Sequence, residues 1–419
     1  MPEIINLSRQ IEKQLPAGLV GFMQQAGLAA ASQGESLYLV GGGVRDLLLG
    51  RTNLDLDLVV EGDAIKLARR LAASTRGEIT THPRFRTATL RWNKWNIDLI
   101  TARSETYARP GALPTVQPGS IDMDLFRRDF TINSMAIALT SSRYGQLLDP
   151  YGGRNDLEHK LIRILHDKSF IDDATRIWRG LRYEQRLDFQ FEPNTLRLLR
   201  RDIPLLDTIS GDRIRHELEL ILKEAFPEKS LRHADELKVL SKLHPGLKGD
   251  NWLAEKFGQA RFSNLPLAAL YLALLAYRLS GEETEGLISH LRLRKSLAQT
   301  LRDANSLKAK LGLLADPELA PSRIYALLHD YSSTAITANS LAADSLVARR
   351  HIQTFLTRLR YVRSTLSGND LQKLGIAPGP RMKAILQHLH DARLDGEVSS
   401  KKGEEGLVRG WAEEPQPGV

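Results

Sequence analysis

Every segment of this 419-residue chain that reads as a β-strand lies in its first third, and the remainder reads as helix. Ser36–Val40 is a short apolar run, and Asn53–Val60 alternates Leu with Asp before turning wholly apolar, as a half-buried strand does. Thr87–Trp92, Trp95–Thr101 and Ile132–Leu139 complete the strand signals. Ala64–Ser74 carries Ile65, Leu67, Ala68 and Leu71 as one helical stripe. A long Pro- and Gly-containing connection, Tyr107–Ser120, separates the last strands. Beyond Asp156 the period changes to 3.6. Ile171–Leu187, Pro193–Arg201, Gly211–Lys223, Asn264–Leu279, Glu283–Leu291 and Ser296–Leu311 read as helices, and Arg323–Arg363 and Arg381–Arg393 continue the pattern. The expected class is α+β: a head with a small mixed β-sheet over residues 1–155, then an all-α neck (156–225), body (226–345) and tail (346–419). The tail beyond Lys401 is polar and Pro-containing, and its end is expected to fray.

Cysteine is absent, which excludes disulfides and thiolate metal sites and fits a reducing compartment. With 58 Lys and Arg against 50 Asp and Glu, the chain carries a formal charge of +8, which favours a polyanionic partner. Met1–Gly27 lacks the uninterrupted apolar core of a signal peptide, and the apolar Leu265–Ala276 stretch is too short to span a bilayer. The expectation is a cytoplasmic protein with no membrane partner. The oligomeric state is not legible.

The densest chemical signal is Gly41-Gly42-Gly43-Val44-Arg45-Asp46, followed closely by Asp55-Leu56-Asp57. A Gly-rich turn opening a helix offers free backbone N–H groups to phosphate, and Arg45 in the first turn would add a bidentate donor. Asp55 and Asp57, two apart on a strand, point to one face and can share hard divalent cations. That pairing suits phosphoryl transfer; the bland alternative is a tight turn beside a solvated Asp-x-Asp edge. Asp98 stands in the apolar run Asn96–Ile100, either as a third metal ligand or base for an attacking hydroxyl, or in an ion pair with Arg91 or Arg103. His388, His390 and Asp391 have no metal-ligand spacing on a helix.

The segment Leu39–Arg51, closing on Asp55 and Asp57, resembles the first motif of the class II tRNA nucleotidyltransferase and bacterial poly(A) polymerase family. Four more motifs follow in order. Arg127-Arg128-Asp129-Phe130-Thr131-Ile132-Asn133-Ser134-Met135-Ala136 resembles the second, which in the family helps separate ribonucleotides from deoxyribonucleotides. Asp149-Pro150-Tyr151-Gly152-Gly153 with Asp156-Leu157 resembles the third, at the head–neck junction. Asp172-Asp173-Ala174-Thr175-Arg176, with Arg179 and Arg182, resembles the fourth, whose acid and arginine read the incoming base. Ser210-Gly211-Asp212-Arg213-Ile214 resembles the fifth. The resemblance is dense from Leu39 to about Leu222 and thins beyond.

This resemblance implies a metal-dependent transferase that adds CCA, or only its terminal A, to the 3′ end of tRNA. Asp55 and Asp57 would hold Mg²⁺, and Asp98 would join them in catalysis. Gly42, Arg45, Arg128, Asn133, Arg179 and Arg182 would grip the ribose and phosphates of CTP or ATP. Asp173 and Arg176, read as three apart on one helix, would face the base together. The tail would hold the tRNA acceptor stem by shape and backbone charge. The alternatives are a poly(A) polymerase acting on other RNAs and a non-catalytic RNA-binding protein with a degenerate transferase head. Three departures stand out: Asp172 where Glu is usual, Arg86 where Gly is usual in the His82–Ala88 loop, and Ser134 for Ala, an exchange expected to be silent.

Overall fold

A computed structural model describes residues 5–413. The chain divides into two compact units, Met1–Ala225 and Phe226–Val419.

In the first unit, helices α1 (Ser8–Gln14) and α2 (Ala17–Ala31) precede β1 (Ser36–Val40), α3 (Gly42–Leu48), β2 (Leu56–Glu61) and α4 (Ala64–Thr75). Strands β3 (Glu78–His82), β4 (Thr87–Trp92) and β5 (Trp95–Thr101) follow, then a ribbon of β6 (Arg103–Thr106) and β7 (Thr115–Pro118). After α5 (Ile121–Phe126) come the short strands β8 (Ala136–Ala138) and β9 (Leu147–Leu148). Seven strands form one mixed sheet in the order β3-β4-β5-β2-β1-β8-β9, with β2 and β5 parallel and the other pairs antiparallel.

The alternation in the sequence sorts side chains between the two faces. Leu56, Leu58, Ile97 and Leu99 are buried on the face where α4 packs, and Thr101 Oγ1 there accepts from the Ala64 amide. The opposite face carries Tyr38, Val40, Val59 and Ala136, packed against Ile121 and Leu125 of α5. Asp57 and Asp98 share the parity of Val59 and Ile100, so they stand on this second face.

Five further α-helices follow in this unit: α6 (Gly153–Glu158), α7 (Ser169–Asp172), α8 (Thr175–Leu187), α9 (Pro193–Asp202) and α10 (Gly211–Ile221). The Asp149 carboxylate accepts from the Gly153 and Arg154 amides at the start of α6. Gly153 lies so close to Thr131 that a Cβ there would sit 2.3 Å from its carbonyl oxygen. The third motif is thus a packed turn. α8 buries Ile177, Trp178 and Leu181 completely.

The structure corrects the sequence reading at several points. β3, with the pattern Glu-Ile-Thr-Thr-His, has too few apolar residues to signal a strand. The Tyr107–Ser120 connection is partly the β6–β7 ribbon. Strand signals do not stop at Asp156, because Leu161–Ile162 pairs with Gln190–Phe191. The helix expected over Ile171–Leu187 is broken at Asp173, whose backbone is extended. Arg86 adopts a left-handed backbone at φ 51°, the conformation for which Gly is suited. The Ser134 hydroxyl is fully buried and donates to the Leu125 carbonyl, so that exchange adds a hydrogen bond.

The second unit is helical. Leu307, Leu328, Ile352 and Phe355 lie in one apolar cluster, and Leu371, Ile385, Leu389 and Val408 in another. The tail is helical over Lys401–Glu413 because Glu404 is buried, accepting from the Thr365 and Leu366 amides and pairing with Arg393 at 3.0 Å. The end expected to fray, 414–419, lies outside the described residues. His390 Nε2 meets the Val362 carbonyl and the His388 ring meets Trp411 edge-on, so the two imidazoles serve different contacts. No helix among the described residues is long and apolar enough to cross a membrane.

Candidate active site

Gly41 ends β1 at φ 67°, and a Cβ there would lie 2.8 Å from Nη1 of Arg128. Glycine is therefore required at this turn, both for its backbone and for the guanidinium beside it. The turn opens onto a cavity of about 380 Å³ lined by Gly41, Gly42, Asp57, Arg128, Asn133 and, across it, Asp173, Arg176 and Arg179.

At one end stands Asp57; Asp55 and Asp98, neighbouring it along the chain and on the adjacent strand, are not among the residues that line the cavity. Asp57 and Asp98 are register partners on the parallel strands β2 and β5, and Asp55 lies one residue before β2. Asp55 and Asp98 are exposed and Asp57 is half-buried. Burial pushes the Asp57 carboxyl above its ordinary range, and the charges of Asp98 and Asp55 push it the same way, against the opposing pull of Arg128. One oxygen of Asp98 accepts from Thr89 Oγ1 at 2.6 Å, so neither the Arg91 nor the Arg103 ion pair is formed. Among the described residues, no three His, Asp or Glu side chains converge as a metal cluster by themselves. Crowded acidic oxygens with too little positive charge nearby fit a hard divalent cation whose remaining ligands are water and substrate oxygens.

The opposite wall is an arginine network. Asp124 holds both Arg127 (2.7 Å) and Arg128 (2.9 Å), and Glu105 holds Arg103 (2.9 Å) and Arg127 (3.0 Å). The Tyr107 hydroxyl donates to Glu105 at 2.8 Å; burial, then the Glu105 charge, pushes its pKa up. Asp129 receives Arg179 through two bonds of 2.9 and 2.7 Å and the Asn133 amide at 3.0 Å. Burial alone would raise the Asp129 carboxyl, but Arg179 and Asn133 outweigh it and hold it at about 2.

The fourth motif reaches the cavity by a different geometry from the expected helical face. Asp173 sits in the break before α8, where its Oδ1 accepts from the Thr175 amide and hydroxyl and from Arg213 at 2.8 Å. Arg176, in the first turn of α8, donates to Ser169 and to the Arg127 carbonyl. Both side chains line the cavity, each held in place by these neighbours. Arg213, from the fifth motif, thereby fixes the acid of the fourth.

Two expected phosphate donors are placed elsewhere. Arg45 is 3% exposed, does not line the cavity, and spends its donors on Asp46 and on Asn133 Oδ1 at 2.7 Å. Asp46 in turn receives the Asn53 amide, and Asn53 Oδ1 accepts from the Asp55 backbone N–H. Arg45 is thus a strut joining the second motif to the loop that carries Asp55. Arg182 likewise lies off the cavity, 3.4 Å from Glu224, because the helical turn directs it past Arg179. Three guanidinium groups, those of Arg45, Arg179 and Arg182, surround the Tyr183 ring at 5.4, 6.0 and 4.7 Å. Sequence reasoning passed over Tyr183, Glu105 and Tyr107. The alternation Arg103, Glu105, Tyr107 was the available signal, since it puts three polar groups on one face of a strand.

A mixed sheet presenting uncompensated carboxylates opposite an arginine-lined cavity is the architecture of a nucleotidyltransferase head. Known proteins agree. The Poly A polymerase head domain family matches residues 37–163, and the family described as a probable RNA and SrmB- binding site of polymerase A matches residues 188–250. The A-adding tRNA nucleotidyltransferase of Halalkalibacterium halodurans is 34% identical over 94% of this chain and 93% of its own length. That of Geobacter sulfurreducens is 33% identical over 96% of this chain, which spans only 48% of that longer relative. The solved Thermotoga maritima CCA-adding enzyme complexed with tRNA superposes with a TM-score of 0.80 at 30% identity, covering 99% of this chain and 100% of that one. The chain belongs to the class II tRNA nucleotidyltransferase and poly(A) polymerase family.

Proposed function

We propose that this chain is a cytoplasmic A-adding tRNA nucleotidyltransferase, which transfers AMP from ATP to the 3′ end of a tRNA already ending in CC and releases pyrophosphate. The observation that carries this reading is the single cavity that joins Asp57 at one end to Asp173 and Arg176 at the other. It is supported by the A-adding relatives at 33 and 34% identity.

In this reading the adenine edge meets Asp173 Oδ2 as acceptor for the exocyclic amine and Arg176 as donor to a ring nitrogen. Arg128 and Arg179 face the ribose and triphosphate, and the Gly42 amide lies beside them at the turn. Asn133 stands at the ribose end, held by Arg45 from behind. Asp55 and Asp57 would hold the Mg²⁺ ions, which when bound would supply Lewis-acid stabilisation of the charge developing on the phosphates. Asp98, with one oxygen engaged by Thr89 and the other open, accepts the proton of the RNA 3′-hydroxyl as it attacks the α-phosphate in line. The acceptor stem lies along the second, helical unit by shape and phosphate charge.

The test offers purified protein three RNAs: tRNA ending before CC, tRNA ending in CC, and an unrelated RNA, each with CTP, ATP or both. AMP added once, to the CC-ended tRNA alone, is the expected result. CMP incorporation would instead establish CC or CCA addition, and extended A-tracts on the unrelated RNA would establish a poly(A) polymerase.

A further inference from the structure

Asp129 lines the nucleotide cavity, yet its hydrogen-bonding capacity is already spent. An ionised carboxylate offers about four lone-pair positions. Oδ1 accepts from the Phe130 amide at 2.8 Å and from the Asn133 side-chain amide at 3.0 Å, and Oδ2 accepts two bonds from Arg179, at 2.9 and 2.7 Å. A ligand hydroxyl can therefore bond to Asp129 only if one of these donors lets go. Of the three residues, the Phe130 amide is backbone and Asn133 is held from behind by Arg45. Arg179 has a second acid within reach: its Nη1, which makes no bond to Asp129, lies 3.9 Å from Oε1 of Glu217 on α10. Glu217 is only 5% exposed, and its Oε2 is buried with no hydrogen-bond partner. The other guanidinium near it, that of Arg182, lies 3.4 Å from Glu224. A buried acid left in this state costs stability in the empty protein.

We propose that Glu217 is a positioning residue that draws Arg179 away from Asp129 when a nucleotide enters, freeing Asp129 to accept a hydroxyl of the ribose. The inference rests on reading the cavity as a nucleotide site. A movement of about 1 Å brings Arg179 Nη1 to bonding distance of Glu217. The guanidinium stays paired with a carboxylate throughout, so no buried charge is stranded during the exchange. Burial pushes the Glu217 carboxyl up, against the pull of Arg179, Arg182 and His216; a closer guanidinium favours its ionised form. A nucleotide lacking the hydroxyl gains nothing from the exchange. Glu217, which does not line the cavity, thus sets selectivity for the sugar through Arg179.

Equilibrium dialysis of the full chain with Mg²⁺ and ATP, 2′-deoxyATP or 3′-deoxyATP, without RNA, reads the sugar directly. The wild type should bind at least one deoxy analogue about tenfold more weakly than ATP. Glu217→Gln should bring that ratio to within about twofold by losing affinity for ATP alone. A ratio unchanged in Glu217→Gln, or a wild type that binds all three nucleotides equally, overturns the proposal. A structure of the wild-type chain with ATP does not depend on how the variant folds. Arg179 Nη1 bonded to Glu217, with a ribose hydroxyl on Asp129, is expected there. Both Arg179 bonds to Asp129 kept, with no ribose contact, overturn the proposal as well. Incorporation onto RNA separates this role from the transferase reading. A chain that shows the expected ratios yet adds no nucleotide would refute the transferase and leave the role of Glu217 standing. One that adds AMP with ratios indifferent to Glu217→Gln would do the reverse.

Discussion

The two ends of the nucleotide cavity are built on opposite principles. The carboxylate end is under-partnered: Asp55 and Asp98 are exposed, and Asp57 has its charge disfavoured by burial and by those two neighbours. The arginine wall is positioned in advance, with Arg127, Arg128, Arg176 and Arg179 each bound to a carboxylate or carbonyl before any substrate arrives. The difference follows from what each end must do. A divalent cation stabilises an acid cluster only if the protein has not already neutralised it. A base-reading or phosphate-gripping side chain discriminates best when its rotamer is set beforehand, so that little ordering remains for binding.

Substitutions at the two ends should therefore fail differently. Asp57→Ala should have the largest effect, lowering incorporation by about a thousandfold or more while the melting temperature holds or rises, since a strained carboxylate is removed. Radiolabelled AMP incorporation paired with thermal unfolding checks it, and retained turnover would end the metal assignment for Asp57.

Asp129→Asn should act mainly on stability, costing roughly 3 kcal/mol because Arg179 loses its buried partner. Its pH dependence has a definite sign. A carboxyl held at about 2 in the folded state, against an ordinary value of 3.8, contributes stability that is present above pH 4 and lost as pH falls towards 2. Urea unfolding at pH 5 and pH 2.5 should show the wild type losing about 2 kcal/mol through this group, a loss absent from Asp129→Asn. Equal pH sensitivity in both chains would show that the Arg179 pair does not hold Asp129 ionised.

Thr89→Val should be the mildest. It removes the hydroxyl bonded to Asp98, worth about 1 kcal/mol, and so lowers kcat roughly fivefold with the KM for ATP unchanged. A change in KM without one in kcat would place Asp98 in nucleotide binding and not in proton transfer.

Residue types and their order determined a good deal by themselves. The alternation at Asn53–Val60 and Trp95–Thr101 set β2 and β5 and the shared face of Asp57 and Asp98, because a strand's period is two whatever surrounds it. The Gly41 turn and the helical remainder were legible for the same local reason. Other features depended on partners distant in sequence. Arg45 reads locally as a phosphate donor at a helix start, yet Asn133, far along the chain, claims it as a strut. Asp173 and Arg176 read as one helical face, yet Arg213 and the Thr175 cap hold Asp173 in a break before the helix. The tail reads as polar, yet the Thr365 and Leu366 amides bury Glu404 and make it helical. Local periodicity fixes which way a side chain points, but whether a charge is spent inside the fold or left for a ligand depends on which donors and acceptors the tertiary structure brings beside it.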